Sequence, residues 1–292
     1  MITPQIKANK LAQAIGLKTP LYLKREDLHP YGSHKGRSIP LMIKNYARQG
    51  VSDFVISSSG NAALATAKYV AKHPKLKLTI FVGKNIDVKK ELRIMNYESR
   101  NNIKIKKVLN PKQSAFLLDK TGKAKNLRQS TDNTALIGYV ELARELAEIK
   151  NLSAVFVPTS SGTTAQGLYE GFKKLKLNPQ IHIVQTDACH PMVKNSSNKI
   201  TPYSLLLTPS IASAIVDKVA HRKLKILELL KNSHGEGWVV TNQEIKKAME
   251  EIEQSTNIKV SPNSALSLVG LKQAIASKSK FSGPVVCLFT GR

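Results

Sequence analysis

Lys35 follows the turn Pro30-Tyr31-Gly32-Ser33 and precedes an apolar run, Ile39 to Tyr46, that reads as a helix. Turn chemistry ahead and a helix behind would hold its amine at the helix mouth. A lysine fixed in that way lowers its pKa readily on partial burial and keeps a reproducible position, as a Schiff-base nucleophile must. A lysine in a basic chain is ordinarily a solvated surface group, so the assignment depends on its company. Three other runs supply it. Ser57-Ser58-Ser59-Gly60-Asn61-Ala62-Ala63 would point hydroxyls and backbone amides at an anion such as a substrate carboxylate; a plain N-cap is the other reading. Pro158-Thr159-Ser160-Ser161-Gly162-Thr163-Thr164-Ala165-Gln166-Gly167 sets small hydroxyl residues around a glycine. That suits a phosphate held by backbone amides without a metal; the Gly-Lys-Ser/Thr ending of a nucleotide P-loop is absent. Leu288-Phe289-Thr290-Gly291-Arg292 puts a threonine hydroxyl at the end of an apolar strand.

The elements that must position these runs alternate strand with helix. Asp53–Ser57, Leu76–Val82, Ile103–Val108, Ala154–Val157, Ile181–Gln185, Trp238–Thr241 and Val285–Phe289 read as strands. Ala62–Lys72, Lys89–Ser99, Thr134–Lys150, Thr164–Leu175, Asn242–Gln254 and Pro262–Ala276 read as helices. The stretch between Gln185 and Trp238 reads as less regular. This alternation predicts an α/β protein with open parallel sheets covered by helices on both faces. Ligands then bind outside the carboxyl ends of the strands, where every run above falls.

Bulk composition narrows the function classes. The 292 residues suffice for one large unit or two domains. No apolar run approaches the roughly 18 residues that span a bilayer; the longest candidates, around Leu205 and Val285, are interrupted by Thr, Pro, Ser and Gly. The first residues lack the apolar stretch of a secretion signal. Cys189 and Cys287 make neither a disulfide framework nor a metal-ligand spacing, and no metal is expected. A cytoplasmic protein is the expectation. The formal charge of +25 would suit nucleic acid, but its cations are spread along the chain without a zinc finger or an aromatic RNA-binding motif. Nucleic acid and membrane are therefore not expected partners.

Taken together, the four runs resemble those of the pyridoxal-phosphate enzymes of the tryptophan-synthase-β-like superfamily (fold type II) over nearly the whole chain, from Thr3-Pro4 to Thr290-Gly291. The resemblance implies pyridoxal 5'-phosphate as cofactor and Lys35 as the lysine that joins it covalently and moves protons. Ser58, Ser59, Gly60, Asn61 and Ala62 match the substrate-carboxylate loop, with Asn61 beside the cofactor ring hydroxyl. Ser160, Ser161, Gly162, Thr163 and Thr164 match the phosphate cradle, and Thr290 the hydroxyl facing the pyridine nitrogen. Weaker likenesses lean toward threonine synthases: Val184 to Met192, Pro209 to Ile215 as a helix start, Ser261-Pro262-Asn263-Ser264-Ala265, and Asn126-Leu127-Arg128 as a phosphate contact. Departures from the family pattern are His34, Gly36 in place of an Asp, Ser160 and Thr163 where glycines are usual, and Ser261 where a Glu is expected.

The implied architecture is a discontinuous large cofactor-binding domain, residues 1–39 and 131–292, with a small mobile domain at 40–130 and the cofactor in the cleft between them. The implied reaction is elimination or replacement on a small amino-acid substrate, first a threonine synthase-like conversion of O-phosphohomoserine. A serine/threonine dehydratase (ammonia-lyase) or a cysteine synthase-type β-replacement comes next, and a cofactor-binding regulator without turnover is the non-enzyme alternative. The family's usual homodimer is expected.

Overall fold

In the computed structural model, which describes residues 2–98, 100–193 and 209–291, the chain divides into two compact units. One holds residues Met1–Leu28 and Tyr139–Arg292, the other His29–Gly138. The boundaries fall about ten residues outside 40 and 130, so Lys35 belongs to the second unit.

The first unit is built on a six-stranded sheet of order β1-β2-β10-β7-β8-β9. Its strands are β1 (Gln5–Lys7), β2 (Leu21–Arg25), β7 (Ala154–Pro158), β8 (Gln180–Thr186), β9 (Gly237–Val240) and β10 (Val285–Phe289). The central strands are continuous apolar runs because both faces are covered. Val285, Cys287 and Phe289 enter a core with Leu21, Phe156, Ile245 and Leu266; Val286 and Leu288 enter another with Tyr139, Leu142, Val157 and Phe172. Helices α1 (Asn9–Ala14), α9 (Asn242–Thr256) and α10 (Pro262–Ala276) cover the first face, and α6 (Ile137–Ala147), α7 (Thr163–Lys174) and α8 (Lys223–Ser233) the second. β1 departs from the all-parallel expectation: it pairs antiparallel with β2, Gln5 opposite Lys24. Short and solvated at the sheet edge, it alternates too little apolar surface to be legible.

The second unit carries a parallel sheet of order β5-β4-β3-β6: β3 (Asp53–Ser57), β4 (Lys77–Gly83), β5 (Ile103–Val108) and β6 (Lys125–Asn126). Helices α2 (Lys35–Arg48), α3 (Asn61–Val70) and α4 (Val88–Met95) pack against Phe54, Ile56, Leu78 and Ile80. Helix α5 (Pro111–Lys120) packs through Ala115 on Val55 and Phe81 across the sheet.

Several elements differ from the sequence reading. β1, α1, β2, α5 and β6 had no strong periodicity, and α8 lies within the stretch read as less regular. Thr134–Lys150 is a 3₁₀ turn, Asn133–Leu136, followed by α6, because Asp132 caps the turn through the Thr134 amide at 2.9 Å. Pro209 to Ile215 forms no helix; the Ile211 and Ala214 amides are held instead by the side chains of Asn242 and Asn263. The apolar run around Leu205, Ser99 at the end of the expected helix, and Arg292 lie outside the described residues. Among the described residues, no helix is long and apolar enough to cross a membrane.

Candidate active site

The run before Lys35 is largely structural. The Lys24 amine, wholly buried, donates to the Thr3 carbonyl at 2.8 Å and pairs with Glu145 at 2.5 Å. Arg25 makes a two-pronged bond to Asp27, 2.9 and 2.7 Å. A bidentate guanidinium–carboxylate pair is geometrically rigid. These residues brace the end of β2 and its following 3₁₀ turn, Glu26–Leu28.

Lys35 is the first residue of α2, and its backbone amide donates to the Ser33 hydroxyl at 3.3 Å. The turn ahead of it is packed tightly. His29 is buried and stacks on Tyr31, its Nδ1 accepting from the Tyr31 amide at 3.3 Å. Burial, reinforced by Tyr69 nearby, pushes the Tyr31 phenol up, so it stays neutral beside the helix start. A Cβ on Gly36 would stand 2.4 Å from the His29 ring and 2.5 Å from the Tyr31 Cβ. Glycine in the place of the family's Asp therefore follows from packing. One turn on, the Ser38 hydroxyl donates to the Ala135 carbonyl at 2.7 Å and accepts from the Gln129 amide at 2.8 Å.

Ser58 to Asn61 connect β3 to α3, with Gly60 at the N-cap and Asn61 the first helical residue. The Ser58 hydroxyl accepts from the Gly60 amide at 3.2 Å, and no side chain caps the helix. All these residues, with Ala62, are half-buried, and the space a Gly60 Cβ would occupy is open for 4 Å around. Arg128, half-buried, follows β6, the parallel neighbour of β3, where Val55 lies opposite Asn126. Parallel pairing sends the serine loop and Arg128 off the same sheet edge, and Gln129 ties the first turns of α2 to the segment leaving it. A cleft of about 580 Å³ opens on that edge, lined by Ser57, Ser58 and Ser59, residues 81–83 and residues 110–113. The sequence had not marked Asn110 to Gln113, since α5 itself was not legible.

In the first unit, residues 159–162 connect β7 to α7, and Thr290 follows β10, the parallel neighbour of β7. The loop and the threonine thus leave one carboxyl edge. Gly162 caps α7 in the left-handed region, φ +81°, with no acidic residue in the first turn. Ser161 and Thr163 share a hydrogen bond of 2.8 Å; Thr163 and Thr164 are buried. Backbone amides at a helix start with hydroxyls around them are a fitting donor set for a phosphate monoester. Ser160 is turned elsewhere: its hydroxyl accepts from the Val216 and Asp217 amides, both at 3.2 Å. Its substitution for a glycine ties the loop to the segment before α8. Thr290 is buried, and the following residue is gripped by two serines: Ser261, noted in the sequence as a departure, and Ser264, noted as part of a likeness. The Ser261 and Ser264 hydroxyls donate to the Gly291 carbonyl at 2.5 and 2.9 Å.

The chain resembles known proteins over almost its full length. It is 25% identical to the threonine synthase of Methanosarcina acetivorans over 99% of this chain and 74% of that one. It is 25% identical to human L-serine dehydratase/L-threonine deaminase over 91% of this chain and 81% of that one. A crystal structure of a pyridoxal 5'-phosphate-dependent aspartate racemase superposes with a TM-score of 0.82 at 21% identity, covering 100% of this chain and 90% of that one. The family model described as pyridoxal-phosphate dependent enzyme matches residues 2–291. With its two helix-covered sheets, the chain belongs to the pyridoxal-phosphate dependent enzymes of fold type II.

Proposed function

We infer that the enzyme carries out elimination or replacement on an amino acid with a phosphorylated leaving group, as a threonine synthase does with O-phosphohomoserine. One observation carries this reading. The serine loop at Ser58 to Asn61 and Arg128 follow neighbouring parallel strands, β3 and β6, so both segments leave the sheet at one edge. Donors for an α-carboxylate thus lie near a residue of the type suited to two-pronged phosphate recognition. Similarity to threonine synthases supports it.

Pyridoxal phosphate, when bound, supplies the electron sink that lets the substrate Cα proton leave. The chain's own residues do the rest. Lys35 would hold the cofactor, and its amine would take and return the substrate proton. Ser58, Ser59, Asn61 and the backbone at Gly60 and Ala62 orient the carboxylate. Ser161, Gly162, Thr163 and Thr164 hold the cofactor phosphate, with Ser160 anchoring their loop. Thr290 would offer the cofactor ring a neutral hydroxyl, which cannot supply a full proton as an Asp would. That restraint favours loss of a β or γ substituent over transamination.

The decisive assay is phosphate and threonine release from O-phosphohomoserine, with Arg128→Lys raising KM. Keto-acid formation from serine or threonine, with no turnover of the phosphorylated substrate, would replace this reading by a dehydratase. Equal identity to the human dehydratase makes that the second reading.

A further inference from the structure

Residues 261–264 and 291 form a clamp that the reaction above does not yet use. β10 leaves its ladder at Phe289, which lies opposite Arg25 on β2, while its last partner on the β7 side is Cys287 opposite Phe156. Beyond the ladder, helix α10 grips the residue that follows Thr290. The Gly291 carbonyl accepts from Ser261 at 2.5 Å and from Ser264 at 2.9 Å, and the Gly291 amide donates to Ser264 at 3.3 Å. The Ser261 hydroxyl also lies 3.2 Å from that of Ser264, so its one proton is directed mainly to the nearer Gly291 carbonyl, which Ser264 also reaches.

The arrangement is selective for a hydroxyl donor. Ser261 occupies the N-cap of α10, where a serine ordinarily accepts a hydrogen bond from the helix's own first turn. Here no side-chain cap bond forms. The hydroxyl serves as a donor to Gly291 instead. A carboxylate at this position, the residue the family pattern expects, has no proton to give a carbonyl.

We propose that Ser261 and Ser264 are positioning residues that aim the Thr290 hydroxyl at the cofactor ring by gripping the peptide that follows it. The proposal rests on the reading that Thr290 faces that ring. It extends that reading by naming what holds the residue in place.

A double-mutant cycle on the cofactor-loaded enzyme tests it. The variants are Ser261→Ala/Ser264→Ala, Thr290→Ala and their combination. The readouts are the visible absorption band and the rate of cofactor loss to an aldehyde-trapping hydrazine. The serine pair variant is expected to shift the band and speed cofactor loss about tenfold, the effect of losing hydrogen bonds of ordinary strength. Added to Thr290→Ala, it should speed loss no further, and Ser261→Thr, which keeps the hydroxyl, should restore the wild-type band. Multiplying effects in the combined variant, or an unchanged band in the serine variant, overturn the proposal. Should the buried Ser264 variant not fold, Ser261→Ala alone runs the same cycle. A wild-type spectrum in Thr290→Ala overturns the reading of Thr290 together with the proposal, while borohydride trapping at Lys35 reports separately on the cofactor assignment.

Discussion

The His29 imidazole stands where a side chain on Gly36 would have to go: Nδ1 lies 2.4 Å from the place of a Cβ. His29 is buried and stacked on Tyr31, so it has little room to withdraw. The turn ahead of Lys35 is thereby locked to the first turn of its helix. Gly36→Ala should cost about 1–3 kcal/mol from overpacking, against about 1 kcal/mol returned by helix propensity. A lower urea midpoint and slower borohydride trapping at Lys35 are expected. Unchanged stability would show that the turn is not packed this way.

Gly162→Ala should loosen the proposed cofactor phosphate site. The residue sits at φ +81°, and its Cβ would meet Ile226 of α8 at 2.8 Å. The left-handed backbone costs an ordinary residue about 1–2 kcal/mol, with the contact added. Weaker binding of pyridoxal phosphate, read by fluorescence titration, is expected to exceed any fall in global stability.

His182 should make stability depend on pH. Its Nδ1 accepts from the Glu236 amide and from the Trp238 indole, both at 3.2 Å. That leaves the ring proton on Nε2, facing the Gln180 side-chain oxygen at 3.0 Å. Burial lowers its pKa from 6.5 to about 4. Between those values the unfolded chain binds the proton and the folded one does not, so the contribution is full above pH 6.5 and falls away toward pH 4. It amounts to about 3 kcal/mol at most. The slope of unfolding free energy over that window should flatten in His182→Gln. An unchanged slope would assign the pH dependence elsewhere.

The Lys24–Glu145 pair should be far more valuable intact than half removed. Lys24→Met takes the Lys24 amine from the Glu145 carboxylate, which has only 12% of its side chain exposed, and leaves it the weaker 3.3 Å bond from the Thr3 amide. Breaking a buried pair from one side costs about 3–5 kcal/mol. Adding Glu145→Leu to Lys24→Met should recover most of that loss in a denaturant series. Simple additivity would show the two groups to be independent.

The amino-acid sequence by itself determined the class of fold and the four chemical runs. Apolar strands such as Val285–Phe289 are unbroken because both faces are buried, and the glycine and hydroxyl runs stand at strand ends because parallel sheets bind ligands there. Local patterns of this kind need no distant partner to be read. Tertiary structure alone decided what each polar residue does. Ser160 turns to the Val216 and Asp217 amides, Ser261 forgoes its helix cap for Gly291, and Gly36 follows from the His29 ring. Elements with weak periodicity, such as β1 and α5, were likewise set by their neighbours, because a hydrogen bond between residues 30 or 56 positions apart leaves no mark on the spacing along the chain.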